Sequence, residues 1–149
     1  AALLGAEAGA PQLVARVPAG ARPRKLVAAG TGLLALDREG QVWALDVATR
    51  AATPALDGGG AVDVAAHAGL LAIGRAGARI SLWDRTTRAE VGALALPGDA
   101  GARDEQATLE ALTFSADGRS LLAVRAERGR LPIVFVVDVA ARRRGASAC

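Results

Sequence analysis

The sequence predicts an all-β fold assembled from repeated four-stranded antiparallel units, and three observations carry that prediction. Leu-Leu-Ala recurs at Leu33–Ala35, Leu70–Ala72 and Leu121–Ala123, and self-similarity over roughly 20–50 residues marks solenoid and propeller architectures. Each copy runs into a polar turn ending in glycine: Arg38-Glu39-Gly40, Arg75-Ala76-Gly77 and Glu127-Arg128-Gly129. Each then continues into an apolar run closed by aspartate: Leu45-Asp46, Trp83-Asp84 and Val137-Asp138.

The runs read as strands because they are short, apolar at successive positions and bounded by turn residues, as in Ile133–Val137 and Leu70–Ile73. Continuous apolar character suits a sheet covered on both faces, where alternation is not required. Glycine after a charged pair suits a hairpin, since positive φ costs glycine little. The closing aspartates suit the next turn, where a carboxylate accepts backbone N–H groups just past the strand end. Arg50, Arg88 and Arg142 each follow their aspartate by four residues. From the first leucine to the aspartate the spacing is 13, 14 and 17 residues (46−33, 84−70, 138−121).

Taken in order, Leu3-Leu4 and Leu13–Val17 read as the last strands of a preceding unit within residues 1–23. Complete units follow at 24–56 and 61–96, joined by Asp57-Gly58-Gly59-Gly60, and a third spans 109–149. Between the second and third lies the longest polar connection, Pro97–Gln106. The third unit's last strand is interrupted by Arg142-Arg143-Arg144-Gly145, and the one helical turn expected falls around Glu105–Ala111. The expected architecture is a β-propeller, or part of one, with four-stranded antiparallel blades.

Composition bounds the rest. Of 149 residues, 52% are hydrophobic and 3% aromatic, enough for a packed core built from Val, Leu, Ile and Ala rather than a disordered chain. Lys25 is the only lysine among 18 basic residues, and such Ala/Gly/Arg richness resembles high-GC bacterial coding. With a net charge of +3, the sequence points to no nucleic-acid partner. The single cysteine, Cys149, excludes an internal disulfide. No apolar run reaches the roughly 18 residues a transmembrane helix needs. The opening AALLGAEAGAP suits either a processed secretory N-terminus or a boundary in a longer chain, so a periplasmic or secreted location is favoured over a cytoplasmic one.

Specific motifs sharpen the architecture. Ile80-Ser81-Leu82-Trp83-Asp84 resembles the strand endings of WD-repeat propellers, and Leu112-Thr113-Phe114-Ser115-Ala116-Asp117-Gly118-Arg119 resembles the opening strand of WD-repeat and YVTN-type blades. Gln41–Thr49 looks like quinoprotein-type blades, and the cadence from Pro11 to Ala89 is similar to bacterial LVIVD repeats. The chain departs from the WD-repeat tetrad, with Gly58-Gly59-Gly60 where Gly-His stands and Ala76 in the middle turn. The resemblance implies a divergent bacterial propeller. Closed propellers have about four to eight blades, so about three and a half units imply that a partner, a second copy or further chain completes the ring.

Chemistry is sparse. One histidine, His67, at the end of a first strand, and one terminal cysteine make neither a zinc cluster nor a nucleophilic triad. Gly58–Gly60 lacks the Lys-Ser/Thr of a phosphate loop. Trp43 and Trp83 read as blade packing, and the basic run Arg142–Arg144 as a solvated end. No cofactor, metal or catalytic residue is expected. The candidate binding residues are Asp99, Arg103, Asp104 and Glu105, the charged part of the long connection. The expected role is a non-enzymatic protein-binding or scaffold propeller subunit. The alternatives are a piece of a quinoprotein- or lactonase-like enzyme, or a secreted carbohydrate-binding propeller.

Overall fold

The computed structural model describes residues 16–18, 20–29, 32–56 and 59–142. Leu3-Leu4, most of Leu13–Val17, Gly58, Arg143, Arg144 and Cys149 lie outside the described residues. The chain forms three antiparallel sheets, each an up-and-down meander. Strands β1 (Pro23–Ala29), β2 (Gly32–Asp37), β3 (Val42–Asp46) and β4 (Ala51–Pro54) pair in sequence order. So do β5 (Asp63–His67), β6 (Leu70–Arg75), β7 (Arg79–Asp84) and β8 (Ala89–Ala95). The third sheet comprises β9 (Ala107–Phe114), β10 (Ser120–Glu127) and β11 (Ile133–Asp138), with β10 central, and a short helix α1 (Val139–Arg142) follows. The fold is all-β, as expected.

The turns follow from their residues. Gly40, Gly77 and Gly129, which end the three polar turns, all take positive φ, at 86°, 77° and 81°. Asp46 Oδ1 accepts the N–H groups of Ala48 (2.9 Å) and Thr49 (3.2 Å), and Asp84 Oδ1 those of Thr86 (2.8 Å) and Thr87 (3.0 Å). The arginine four residues after each of these aspartates, Arg50 or Arg88, takes a left-handed φ near 60° (60° and 59°) and turns the chain into the fourth strand. Asp138 Oδ1 accepts from Ala140 (3.0 Å) and Ala141 (3.4 Å), but here the chain winds into α1 instead. The same aspartate chemistry therefore starts either a tight turn or a helix.

The register corrects the alignment of the repeats. Leu33 lies opposite Leu45, Leu71 opposite Trp83, and Leu121 opposite Val137. The equivalent of Leu33 in the second unit is therefore Leu71, not Leu70, and the distance to the aspartate becomes 13 residues in both (46−33, 84−71). A one-residue slip matters because it sends every side chain to the other face. The expected helical turn is also shorter than 105–111. A single 3₁₀ turn covers Asp104–Gln106, and Ala107 already begins β9.

Alternate residues of the middle sheet go to opposite faces. Val64, Leu71 and Ile73 join Leu34, Leu36, Val42 and Leu56 in one core between the first and second sheets. Ala65, Ala72, Ile80 and Leu82 join Leu109, Leu112, Leu121 and Val137 in another between the second and third. The continuous apolar character of β6 thus reflects burial on both sides. Each fully buried Leu or Ile contributes about 1.5–3 kcal/mol of transfer free energy. Polar contacts add to the first junction: the Arg24 guanidinium donates to the Val62 carbonyl, and the Lys25 ammonium pairs with the Asp63 carboxylate. First strands β1, β5 and β9 run side by side, so their residues line a common trough that includes Val27, Ala66 and Thr113.

The first polar turn is secured by a buried carboxylate. Asp37 accepts the N–H groups of Glu39 (3.0 Å) and Gln41 (2.9 Å) on one oxygen and the Trp43 indole N–H (2.9 Å) on the other. The Trp43 indole is thereby fixed to the turn, whereas Trp83 packs against the core between the first and second sheets. The Trp83 indole N–H is buried with no acceptor among the described residues.

Candidate functional site

The meander topology gives the sheets two rims. The connection Pro97–Gln106 lies on the same rim as the three glycine-ended turns. On the opposite rim lie the β5–β6, β7–β8 and β9–β10 turns and α1.

On the first rim, Asp99, Arg103, Asp104 and Glu105 are all exposed. Their loop is shaped by a backbone bond from Ala102 N–H to the Asp99 carbonyl (2.9 Å) and one from Gln106 N–H to the Arg103 carbonyl (3.1 Å). Gly101 supplies a positive φ of 81°. What holds the loop down is Arg125, on β10, whose side chain is 2% exposed. Its Nη1 donates to the Leu96 carbonyl (2.9 Å) at one end of the loop and to Asp104 Oδ1 (3.0 Å) at the other. Its Nη2 donates to Glu127 Oε1 (3.2 Å), which also accepts the Arg103 N–H (3.0 Å). Arg130 Nε completes the network on Glu127 Oε2 at 3.0 Å.

These bonds are unequal. Asp104 is 78% exposed, so water screens its pairing with Arg125 and the pair adds about 0–1 kcal/mol. The Leu96 carbonyl and Glu127 are buried, and a charged hydrogen bond there is worth about 1.5–3 kcal/mol. Burial alone would raise the Glu127 carboxyl, but the Arg103 N–H and the guanidinium groups of Arg125 and Arg130 win and hold it below the ordinary glutamate value of 4.5. The guanidinium also leaves no room at Gly98, where a Cβ would stand 2.7 Å from Arg125 Nη2.

Thus the structure brings Arg103 and Asp104 together through Arg125 and Glu127, while Asp99 and Glu105 project from the loop without joining that network. Sequence reasoning missed Arg125. The available signal was a charged residue within Leu121–Ala126, an otherwise apolar run, since arginine in such a place needs partners.

On the opposite rim, a cleft of about 810 Å³ opens between the second and third sheets, bordered by His67, Asp84, Phe114, Asp117, Arg119 and Asp138. His67 Nε2 donates to the Ala116 carbonyl at 3.1 Å, a tautomer assigned by its partner. The imidazole lies 6.1 Å from the Phe114 ring, tilted 46°, and sits directly over Gly118, whose missing Cβ makes room for it. Asp117 accepts the Arg119 N–H (2.9 Å) and the Ser115 hydroxyl (2.7 Å), which together hold its carboxyl below the ordinary 3.8. Asp84 and Asp138 are bonded to turn N–H groups as described above. His67, Asp84, Asp117 and Asp138 are thus engaged in shaping the cleft's own turns. Among the described residues, no group of three or more His, Cys, Asp or Glu is placed to hold a metal ion, and no helix is long and apolar enough to cross a membrane.

No protein-family model matches the sequence, and a comparison with curated proteins returns no match. Among solved structures, the chain is similar to the crystal structure of the Myceliophteria thermophila Cps50 (Swd1) β-propeller domain. The TM-score is 0.54 at 11% sequence identity, and the match covers 78% of this chain. It spans only 39% of that domain's chain, so what corresponds is a part of a propeller. Together with the three meander sheets packed face to face, the likeness assigns this chain the β-propeller fold.

Proposed function

We propose that this protein is a non-enzymatic propeller that binds a partner protein, with the Pro97–Gln106 loop as its contact surface. The observation that carries the reading is the Arg125 tether. It holds an exposed loop carrying both charge signs in one shape, so binding costs little ordering entropy. Interaction loops on rigid scaffolds are commonly built this way. Asp99, Arg103 and Glu105 supply the polar contacts, Leu131 beside them an apolar one, and Asp104 joins the loop to its tether. The blade limits we assign are 24–56, 61–96 and 109–149, with residues 1–23 contributing strands of a preceding blade.

The test is site-specific photocrosslinking. A photoreactive residue at Arg103 should give discrete adducts in the native host, and one at Thr87 on the opposite rim should not. Replacing Asp99, Arg103 and Glu105 together by alanine should abolish those adducts while leaving the melting temperature unchanged. Adducts of equal yield from both rims, or adducts that survive the triple substitution, would refute the assignment.

A further inference from the structure

Two irregularities of strand register converge on one pocket. In β1, Pro23 lies opposite Asp37 and Lys25 opposite Leu36, so Arg24 is an extra residue without a cross-strand partner. In β9, Ala111 lies opposite Val124 and Leu109 opposite Arg125, so Glu110 is the extra residue there. Side chains of a regular strand alternate between faces, and a bulge suspends that alternation and re-aims a side chain. Here consecutive residues border the same space as a result: Arg24 with Lys25, and Leu109 with Glu110. The space is a pocket of about 420 Å³ at the end of the trough nearest the glycine-ended turns, bordered also by Arg38, from the first of those turns, and by Asp63.

Its walls carry opposite charge. Lys25 and Asp63 pair with each other, and Asp63 also accepts the Val64 N–H (2.8 Å), so these two charges are satisfied within the fold. Arg24 donates to the Val62 carbonyl, which leaves most of its guanidinium N–H groups unused. The Arg38 guanidinium and the Glu110 carboxylate have no partner among the described residues, and both residues are exposed. Two guanidinium groups thus border the pocket from the first sheet and one carboxylate from the third. A ligand of a single sign meets repulsion at one wall: a polyanion such as a nucleic-acid strand at Glu110, a polycation at Arg24 and Arg38.

We infer that this pocket takes two neighbouring side chains of opposite charge from a partner protein, the acidic one on Arg24 and Arg38 and the basic one on Glu110. Guanidinium forks suit carboxylates in particular, and charges of opposite sign on opposite walls fix the direction in which the segment crosses the trough. The inference rests on the partner-protein reading and names the chemistry of the contact. The location agrees with it, since Glu110 follows Gln106 by four residues and the pocket adjoins the rim that carries the Pro97–Gln106 loop.

The test is an NMR titration of the full chain with an acetylated tetrapeptide amide of alternating Glu and Lys, and with twins in which Gln replaces either the Glu or the Lys residues. Shift changes should saturate and centre on Arg24, Arg38 and Glu110. Arg38→Gln and Glu110→Gln, which remove no internal contact, should leave the fold intact and each weaken binding of the Glu-Lys peptide at least about threefold. Arg38→Gln should make no difference to the peptide lacking Glu, and Glu110→Gln none to the peptide lacking Lys, as pairwise coupling requires. The inference is overturned by an absence of saturable shifts at about 10 mM peptide, by equal shifts on the opposite rim, or by an Arg38→Gln effect that persists without the peptide's Glu residues. Tighter binding of an oligothymidylate than of the peptide at these residues would also overturn it. Neither substitution alters the Pro97–Gln106 loop, and the titration needs no contact with it. A failed titration with the Arg103 crosslinks intact therefore rejects the pocket alone, and absent crosslinks with the titration intact reject the loop alone.

Discussion

Replacing Arg125 by methionine keeps the aliphatic stem and removes the guanidinium, so the cost can be worked bond by bond. The Leu96 carbonyl, on a residue 2% exposed, loses its donor, and an orphaned buried polar group costs about 1–3 kcal/mol. Glu127 retains the Arg103 N–H and Arg130, so its loss is about 1 kcal/mol. Asp104, 78% exposed, contributes about 0–1 kcal/mol. The sum is about 2–5 kcal/mol, overlapping the roughly 3–5 kcal/mol for stripping a fully buried ion pair. At roughly 2–4 °C per kcal/mol for a chain of this size, the melting temperature should fall by about 4–20 °C. Hydrogen exchange should accelerate first in residues 97–106 and only later in β5–β7. Asp104→Asn, made in parallel, should cost under about 1 kcal/mol. A shift below about 2 °C for Arg125→Met, or loop exchange indistinguishable from wild type, would refute the tether.

Three further outcomes follow from the same contacts. Asp37→Ala orphans three donors around the first polar turn and should cost about 2–4 kcal/mol in chemical denaturation, with a change in Trp43 fluorescence; an unchanged emission spectrum would show that the indole bond does not form. Gly118→Ala places a methyl group against the His67 ring at a φ of 73°, for an expected loss of about 1–3 kcal/mol. In a His67→Ala background that loss should shrink to the backbone part of about 1 kcal/mol, and strict additivity would contradict the contact. Because Glu127 is held below 4.5 in the folded chain, the unfolded chain takes up its proton first as pH falls. Its stabilisation is therefore complete above that value and lost on acidification through the folded one. Thermal melts of Glu127→Gln should show a shallower acid dependence, and parallel curves would argue against the pairing.

Much of this molecule was legible in its sequence because the determinants are local. Gly40, Gly77 and Gly129 turn two or three residues after a strand ends, and the positive φ values they adopt are available to glycine in any context. Asp46, Asp84 and Asp138 cap the chain within three residues of themselves, so position alone reveals their role. Even the departure at the end of the third unit is local, since Asp138 initiates α1 where its sisters initiate tight turns. The blade motifs around Trp83 and Phe114 likewise specify strand and turn through neighbouring residues.

The remainder depended on partners distant in the chain. Leu70-Leu71-Ala72 matches its sister motifs by eye, yet cross-strand pairing decides that Leu71 is the equivalent of Leu33, and with it which side chains face which neighbour. Trp43 and Trp83 look alike in sequence, but only Trp43 finds an acceptor, because Asp37 lies across the hairpin. Asp99, Arg103, Asp104 and Glu105 read as one charged loop. Tertiary structure separates them, because Arg125 lies twenty-one residues beyond Asp104 and the β9–β10 hairpin brings its guanidinium back beneath the loop. Sequence determined the strands and turns of this protein through interactions within a few residues. Which faces are buried, and which loop is held rigid, was decided by packing between sheets, where residues remote in sequence compete for the same space and the same hydrogen bonds.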